Sequence, residues 1–369
     1  MEQAFFANGS INEAAVLPLA KLFKGTLGIT AVWVMGMRGQ FDTLTVAERK
    51  KVAAAWVAAG KATGLFTIIQ CGSTSTEEAA EVAAYAESIG ADAIASVGPF
   101  EELCSNTQCV VDWVAPVAAA APKTPFFYYH TPGWNGKSIN GVKMCLLHGN
   151  SLFALPLIVP IVLYQQVSIL IITTSIIHAG RCSWEQVRLV QICSEYLLWP
   201  IYMEYLYVEF VCKCIYVYFT YVLDGAGKIP TNVGVKFESY DDEEFKQTCA
   251  AYGEKKVMVY APCNSLGHWK QGTPGRGAFI QAFAGPMCNR IKTAYEKGDT
   301  AQMAKELDFI KECGNAGGNF VERYFYGGYG VPGADFGPPR LPQPRETAAS
   351  LASMNATLHT CGFYEQHWP

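Results

Sequence analysis

No stretch of this 369-residue chain gathers lysine and arginine into a basic patch, and its formal net charge is only -4. Composition therefore does not call for a nucleic-acid partner. No charged-then-apolar leader with a small-residue cleavage site opens the sequence, so a secreted chain is not the expectation. The 13 cysteines are scattered. The close pairs Cys104 with Cys109 and Cys212 with Cys214 lack the second pair and the histidines that a zinc site needs. No metal or cofactor is expected, and the thiols read as free in a reducing cytoplasm.

What the chain does contain is a repeated unit. Asn8-Gly9-Ser10 makes a turn, and Ile11, Val16, Leu19 and Leu22 follow at near-helical spacing to about Gly25. A strand over Thr30 to Met35 leads through the loop Gly36-Met37-Arg38-Gly39-Gln40 to a capping box, Thr45-Val46-Ala47-Glu48, that opens an alanine-rich helix through Ala59. The same strand-loop-helix order recurs from Leu65, with a helix over 75–88, and from Asp92, with a helix over Cys109 to Ala119. Further strands are expected over Pro125 to His130, Asn232 to Ser239, Lys256 to Ala261 and Gly277 to Phe283. Helices follow over Thr300 to Cys313 and, less regularly, Gly314 to Tyr326, then a Pro/Gly-rich tail over 337–342 and a final short helix. This spacing predicts parallel βαβ construction in an α/β (β/α)₈ TIM barrel. Seven strands are recognisable, and the expectation is that the first of eight is missing ahead of Phe5 in an N-terminally truncated gene model.

One segment breaks the pattern. A βα unit takes about 30 residues, yet the stretch between Tyr129 and Lys236 is more than three times as long. From Cys145 to Val222 there are only two alanines and two glycines but eight tyrosines and five cysteines. The expected organisation is a first part of the barrel over 1–144, an anomalous apolar insert over 145–222 between strands five and six, and a second part over 223–369. Cutting the insert joins Met144 to Leu223 as a normal helix and turn. A retained intron or gene-model artefact is the favoured reading, beside a membrane hairpin and an accessory subdomain. For a membrane, 152–177 is the one candidate span. It is broken by Pro156, Pro160 and Gln165-Gln166, and its partner run, Tyr196 to Val222, carries Glu204, Glu209 and Lys213. Charges at mid-membrane cost about 2.5–3.5 kcal/mol each on insertion scales, which disfavours a membrane.

Lys236, in the run Asn232-Val233-Gly234-Val235-Lys236-Phe237, is the candidate covalent catalyst. A lysine in a buried strand loses ammonium hydration, its pKa falls, and more free amine is left to attack a carbonyl. These residues alone also fit a strand-end lysine whose head group reaches water. The rest of the chain favours the catalyst.

Tyr-Tyr-His-Thr-Pro-Gly at 128–133, Val-Gly-Val-Lys at 233–236 and Gly-Ser-Thr-Ser-Thr-Glu-Glu at 72–78 resemble the N-acetylneuraminate lyase and dihydrodipicolinate synthase superfamily of class I aldolases. So does Thr45-Val46-Ala47-Glu48-Arg49, and the flanks Ala55-Trp56-Val57, 118–122 and 337–342 are similar to the animal-type lyases. The resemblance implies a usually homotetrameric barrel that forms a Schiff base between its strand-six lysine, here Lys236, and a small 2-oxo acid, pyruvate. It also implies that the strand-five tyrosine, here Tyr129, moves protons to and from the substrate.

The chain departs from that pattern where the family holds the substrate carboxylate with loop hydroxyls that also relay to the tyrosine. Gly36-Met37-Arg38-Gly39 stands there; methionine cannot donate, while Arg38 could clamp a carboxylate. As it stands, Arg38 also fits a solvated loop arginine. Asn264 and Ser265 align with the acidic pair that sialic acid lyases use for sugar hydroxyls. The implied function is therefore a Schiff-base lyase with an altered substrate pocket. The alternatives are a dihydrodipicolinate synthase-like condensation and a pseudoenzyme that binds an oxo acid or a protein.

Overall fold

The computed structural model describes residues 3–99, 107–131, 229–238, 257–260, 275–276, 281–314, 326, 331, 337–343 and 345–364. Short runs rich in β-branched and aromatic residues form seven strands: β1 (Ala31–Val34), β2 (Phe66–Gln70), β3 (Ala93–Val97), β4 (Phe126–His130), β5 (Asn232–Phe237), β6 (Val257–Tyr260) and β7 (Gly275–Arg276). They pair in sequence order, and every pairing is parallel. A parallel pair needs a crossover, and helices supply it between the early strands. These are α2 (Val46–Thr63), α3 (Thr76–Ser88) and α4 (Thr107–Ala119), preceded by α1 (Val16–Lys21). The helices α5 (Gln281–Glu296), α6 (Thr300–Gly314) and α7 (Ala348–Thr360) follow β7. Sequential parallel strands alternating with helices are the construction of a (β/α)₈ barrel. N-terminal to β1, the extended pairing among the described residues is a single antiparallel bridge between Phe5 and Ile11.

Local chemistry starts the helices where the sequence predicts. The Thr45 hydroxyl accepts from the Glu48 amide at 3.3 Å, and the Thr45 amide donates to the Glu48 carboxylate at 3.0 Å, the reciprocal cap that opens α2. Ser75 caps α3 through the Glu78 amide at 3.2 Å. The helix expected over 11–25 is realised as a 3₁₀ turn at Glu13–Ala15, then α1, then a π segment at Leu22–Thr26.

Because successive strand residues face opposite ways, the two faces build different cores. Trp33, Ile68, Ala95 and Phe127 pack together inside the sheet. Their neighbours of opposite parity, Val34, Ile69, Ile94, Phe126 and Tyr128, join a large cluster with Val52 and Trp56 of α2, Val82 of α3 and Val114 of α4. Phe23 of the π segment stacks on Trp56 at 6.0 Å and meets Tyr326 edge-on at 5.9 Å, tying the N-terminal segment to the C-terminal part. At Gly285 in α5 a Cβ would lie 2.2 Å from the Leu27 carbonyl oxygen, so only glycine lets α5 approach this segment.

Two expectations are corrected. The seventh strand is not over Gly277 to Phe283: β7 is Gly275–Arg276, and Gln281 already opens α5. A short apolar run does not distinguish strand from buried helix by periodicity, and here Phe283, Met287 and Ile291, four apart, bury one helical face with Leu307 of α6 and Met354 of α7. The cysteines are not all free either. Cys71 is a free, buried thiol and Cys288 is buried, whereas Cys109 and Cys361 are disulfide-bonded. Pairing depends on the approach of backbones in space, which spacing along a long chain does not reveal. Among the described residues no helix is long and apolar enough to cross a membrane, and no cluster of His, Cys, Asp and Glu could hold a metal ion. The expected insert at 145–222 and most of the helix expected over 314–326 lie outside the described residues.

Arg340, in the Pro/Gly-rich tail, closes the molecule over the start of α2. Its guanidinium donates to the Glu48 carboxylate, to Gly9 O at 2.7 and 2.9 Å and to Thr43 O at 2.9 Å, and it lies 4.8 Å from the Phe5 ring. This cation, more than the Thr45 cap, holds the Glu48 carboxyl down to about 2 from an ordinary 4.5. A carboxylate with a depressed folded-state pKa stabilises the fold above its unfolded pKa and loses that effect as pH falls through the folded one. Arg340→Ala should therefore cost about 1.5–3 kcal/mol near neutral pH. In thermal unfolding, the gap between wild type and variant should narrow from about pH 4.5 down to about 2. A pH-independent gap would contradict this account.

Candidate active site

The parallel register sets Tyr129 on β4 opposite Lys236 on β5, and Lys236 opposite Val259 on β6. Tyr129 and Lys236 both fall near the C-terminal ends of their strands, the end at which parallel barrels keep their chemistry. Tyr129 is 1% exposed and Lys236 8%. The Lys236 ammonium sits 3.9 Å from the centroid of the Tyr129 ring and 5.3 Å from that of Trp33. Trp33 meets Tyr129 edge-on at 5.2 Å, and the inner cluster of Ile68, Ala95 and Phe127 forms the apolar floor.

Glu238 completes the arrangement. It follows Lys236 by two residues, so the pleat aims both side chains to one face. Its amide donates to His130 O at 2.9 Å, which extends the β4–β5 pairing just past the strand. Its carboxylate accepts from Lys236 Nζ at 3.2 Å and from the Tyr129 hydroxyl, both through Oε2. The Glu238 side chain is 35% exposed, so it joins the buried pair to the mouth of the barrel.

The electrostatics follow from these positions. Burial pushes the Lys236 amine below the ordinary lysine value, and the Glu238 carboxylate opposes it. Burial also pushes the Tyr129 phenol well above its ordinary value. The adjacent Glu238 charge and hydrogen bond add to this, while the positive charge of Arg38 pulls the other way. Tyr129 is thus held as a proton donor and Lys236 as an amine readily freed of its proton.

Arg38 reaches this site from the loop after β1. Met35 and Gln40 bracket the loop, both with positive φ, 57° and 51°, a conformation uncommon for such side chains and found where surrounding structure enforces it. Between them Met37–Gly39 form a 3₁₀ turn, with Gly39 N donating to Gly36 O at 2.8 Å. Gly36 and Gly39 are buried, and at Gly36 a Cβ would stand 3.3 Å from the Trp33 ring. Gln40 is buried and accepts from the Arg340 amide at 3.1 Å, so the tail secures the loop.

Lys236 and Tyr129 are therefore brought together, with the charge of Arg38 acting at Tyr129. Asn264 and Ser265 lie outside the described residues. Sequence reasoning passed over Glu238 and Trp33. Period-two alternation from Lys236 would have found the first; nothing local marks the second, whose approach depends on β1 and β4 sharing one interior.

The fold and the site define a parallel β/α barrel with a buried amine beside a phenol. Residues 1–153 match the dihydrodipicolinate synthetase family. The chain is 34% identical over 137 residues to N-acetylneuraminate lyase of Rattus norvegicus and 35% to that of Homo sapiens, in each case over 37% of this chain and 43% of the relative. The chain thus matches less than half the length of these curated relatives. Among solved structures, N-acetylneuraminate lyase of Proteus mirabilis aligns with a TM-score of 0.71 at 23% identity, covering 98% of this chain and 97% of that one. A dihydrodipicolinate synthase from Cyanidioschyzon merolae, with lysine bound, aligns with a TM-score of 0.69 at 18% identity, covering 98% and 96%. The structural likeness carries the fold, and the sequence matches carry the relationship. They bear out the expected resemblance to the N-acetylneuraminate lyase and dihydrodipicolinate synthase superfamily.

Proposed function

We propose that the protein is a class I aldolase-type lyase that forms a Schiff base between Lys236 and a pyruvate-derived 2-oxo acid, with a substrate pocket altered from that of the sialic acid lyases. The observation that carries this is the buried Lys236 amine, 8% exposed, at the C-terminal end of β5 and 3.9 Å from the Tyr129 ring. A buried amine that is easily deprotonated attacks the C2 carbonyl; the resulting iminium withdraws electrons, so an adjacent carbon–carbon bond can break through an enamine. Tyr129 supplies a proton to the oxygen that departs or develops. Arg38 is assigned the substrate carboxylate, because a guanidinium can grip it with two hydrogen bonds and its charge already acts at Tyr129. Asn264 and Ser265 are assigned to the substrate's far end. The relatives support a lyase in preference to the condensing alternative, since those at 34% and 35% identity are N-acetylneuraminate lyases. Cytoplasmic residence and a homotetramer belong to the same proposal.

Pyruvate with borohydride should leave a reduced adduct on Lys236, and Lys236→Ala should abolish it. Adducts confined to surface lysines would favour the reading as a pseudoenzyme.

In a panel of 4-hydroxy-2-oxo acids beside N-acetylneuraminate, smaller substrates should turn over better. Arg38→Ala should raise KM for them by about tenfold or more, since a hydrogen bond to a charged group is worth about 1.5–3 kcal/mol. Efficient sialic acid cleavage indifferent to Arg38→Ala would refute both assignments.

The segment 145–222 is proposed to stand apart from the barrel, consistent with a family match that ends at residue 153. A chain joining Met144 to Leu223 should be more soluble than the full chain and still trap pyruvate, because it removes long apolar runs that promote aggregation. An insoluble deletion beside a monodisperse full chain would count against it.

A further inference from the structure

One group in the site has no part in the chemistry so far: Glu238, whose single oxygen Oε2 accepts from both Lys236 Nζ and the Tyr129 hydroxyl. We propose that Glu238 is a catalytic proton relay between Lys236 and Tyr129, carrying the proton lost by the amine to the phenol that protonates the substrate oxygen. This rests on the Schiff-base reading of Lys236. Three features of the geometry carry it. The carboxylate touches both reacting groups at once, so no rearrangement is needed between giving and taking. The neighbouring loop offers no substitute, since Met37 has no proton to donate and Arg38 cannot accept one. Glu238 is also one-third exposed, at 35%, whereas Lys236 and Tyr129 are buried, so it is the member of the three that exchanges protons with solvent.

The steps balance. The Lys236 ammonium gives a proton to the Glu238 carboxylate, leaving a neutral amine and a carboxylic acid. The amine's lone pair forms the bond to C2 as the carbonyl π pair moves to oxygen; that oxygen takes the Tyr129 proton, and the phenolate recovers one from the Glu238 acid. The product is a protonated carbinolamine, with Glu238 again a carboxylate. Its nitrogen then gives a second proton to Glu238, which passes through Tyr129 to the hydroxyl as the C–O bond breaks. Water leaves, the nitrogen lone pair forms the C=N bond, and the iminium carries the single positive charge that Lys236 carried at the start.

The relay and simple electrostatics predict opposite signs. Among the described residues, the charged groups acting on Lys236 and Tyr129 are Glu238 and Arg38. Removing the Glu238 charge lets burial lower the Lys236 pKa further, so more free amine is present at neutral pH and electrostatics alone would speed imine formation. Losing a relay slows it, by about a hundredfold on the usual scale of general acid–base catalysis. The experiment measures the rate of borohydride-trapped adduct at Lys236 in the full chain, by peptide mass spectrometry, with pyruvate and with formaldehyde. Glu238→Gln should slow both reactions across neutral pH, and Glu238→Ala should be slow alone and regain rate with added formate. Either variant matching or exceeding wild type with formaldehyde overturns the relay. A wild type that traps formaldehyde but not pyruvate at Lys236 refutes the oxo-acid reading instead, and the formaldehyde rates still decide the relay.

Discussion

The arrangement around Lys236 depends on placing an amine where little water reaches and supplying one counter-charge to it. An ammonium buried without compensation is strongly disfavoured, and one held against a carboxylate with good geometry is tolerated. Lys236 is on that boundary: burial drives its proton off, and Glu238 at 3.2 Å holds it on. The aromatic faces of Tyr129 and Trp33 favour the charged form without accepting the proton. The amine can consequently be discharged by moving one proton over one hydrogen bond.

That balance rests on register. Tyr129 meets Lys236 because β4 and β5 are aligned so, and a slip of one residue would turn Lys236 into the layer beneath the helices. The alignment includes an irregularity between Phe126 and Phe127, where β5 gains a residue. The Asn232 side chain accepts from the Gly234 amide at 3.0 Å beside that irregularity, and Asn232 N donates to Ile229 O at 3.0 Å. Past it, the rings of Phe237 and His130 meet at a tilt of 41° with centroids 5.0 Å apart on the outer face. The Arg38 loop is secured differently, by Gln40 against the tail and by Arg340 against Glu48. The floor of the site and its rim therefore depend on separate parts of the chain.

Much of this was legible in the sequence because it is periodic or local. The capping box at Thr45 and Glu48, the parallel strands, and the positions of Tyr129 and Lys236 near strand ends all follow from patterns a few residues long. Glu238 was legible too, two residues past Lys236, yet a glutamate in a loop after a strand carries no mark of function until its neighbours are placed. The seventh strand was misplaced because the apolar run after Gly277 suits either a strand or the buried face of α5, and packing against Leu307 and Met354 decides it. The disulfides at Cys109 and Cys361 depend on tertiary approach and had no signal at all.

The family match covers residues 1–153, and so contains Arg38 and Tyr129 but not Lys236. The matched stretch thus holds the phenol and leaves the amine outside it. The register joins the two: Lys236 is paired with Tyr129 across the sheet, and its amine lies 3.9 Å from the centroid of that ring. Lys236 is buried there and shares a carboxylate oxygen with that phenol. The argument for Lys236 is thus geometric, and it holds whatever the origin of the long segment that separates the two strands in the chain.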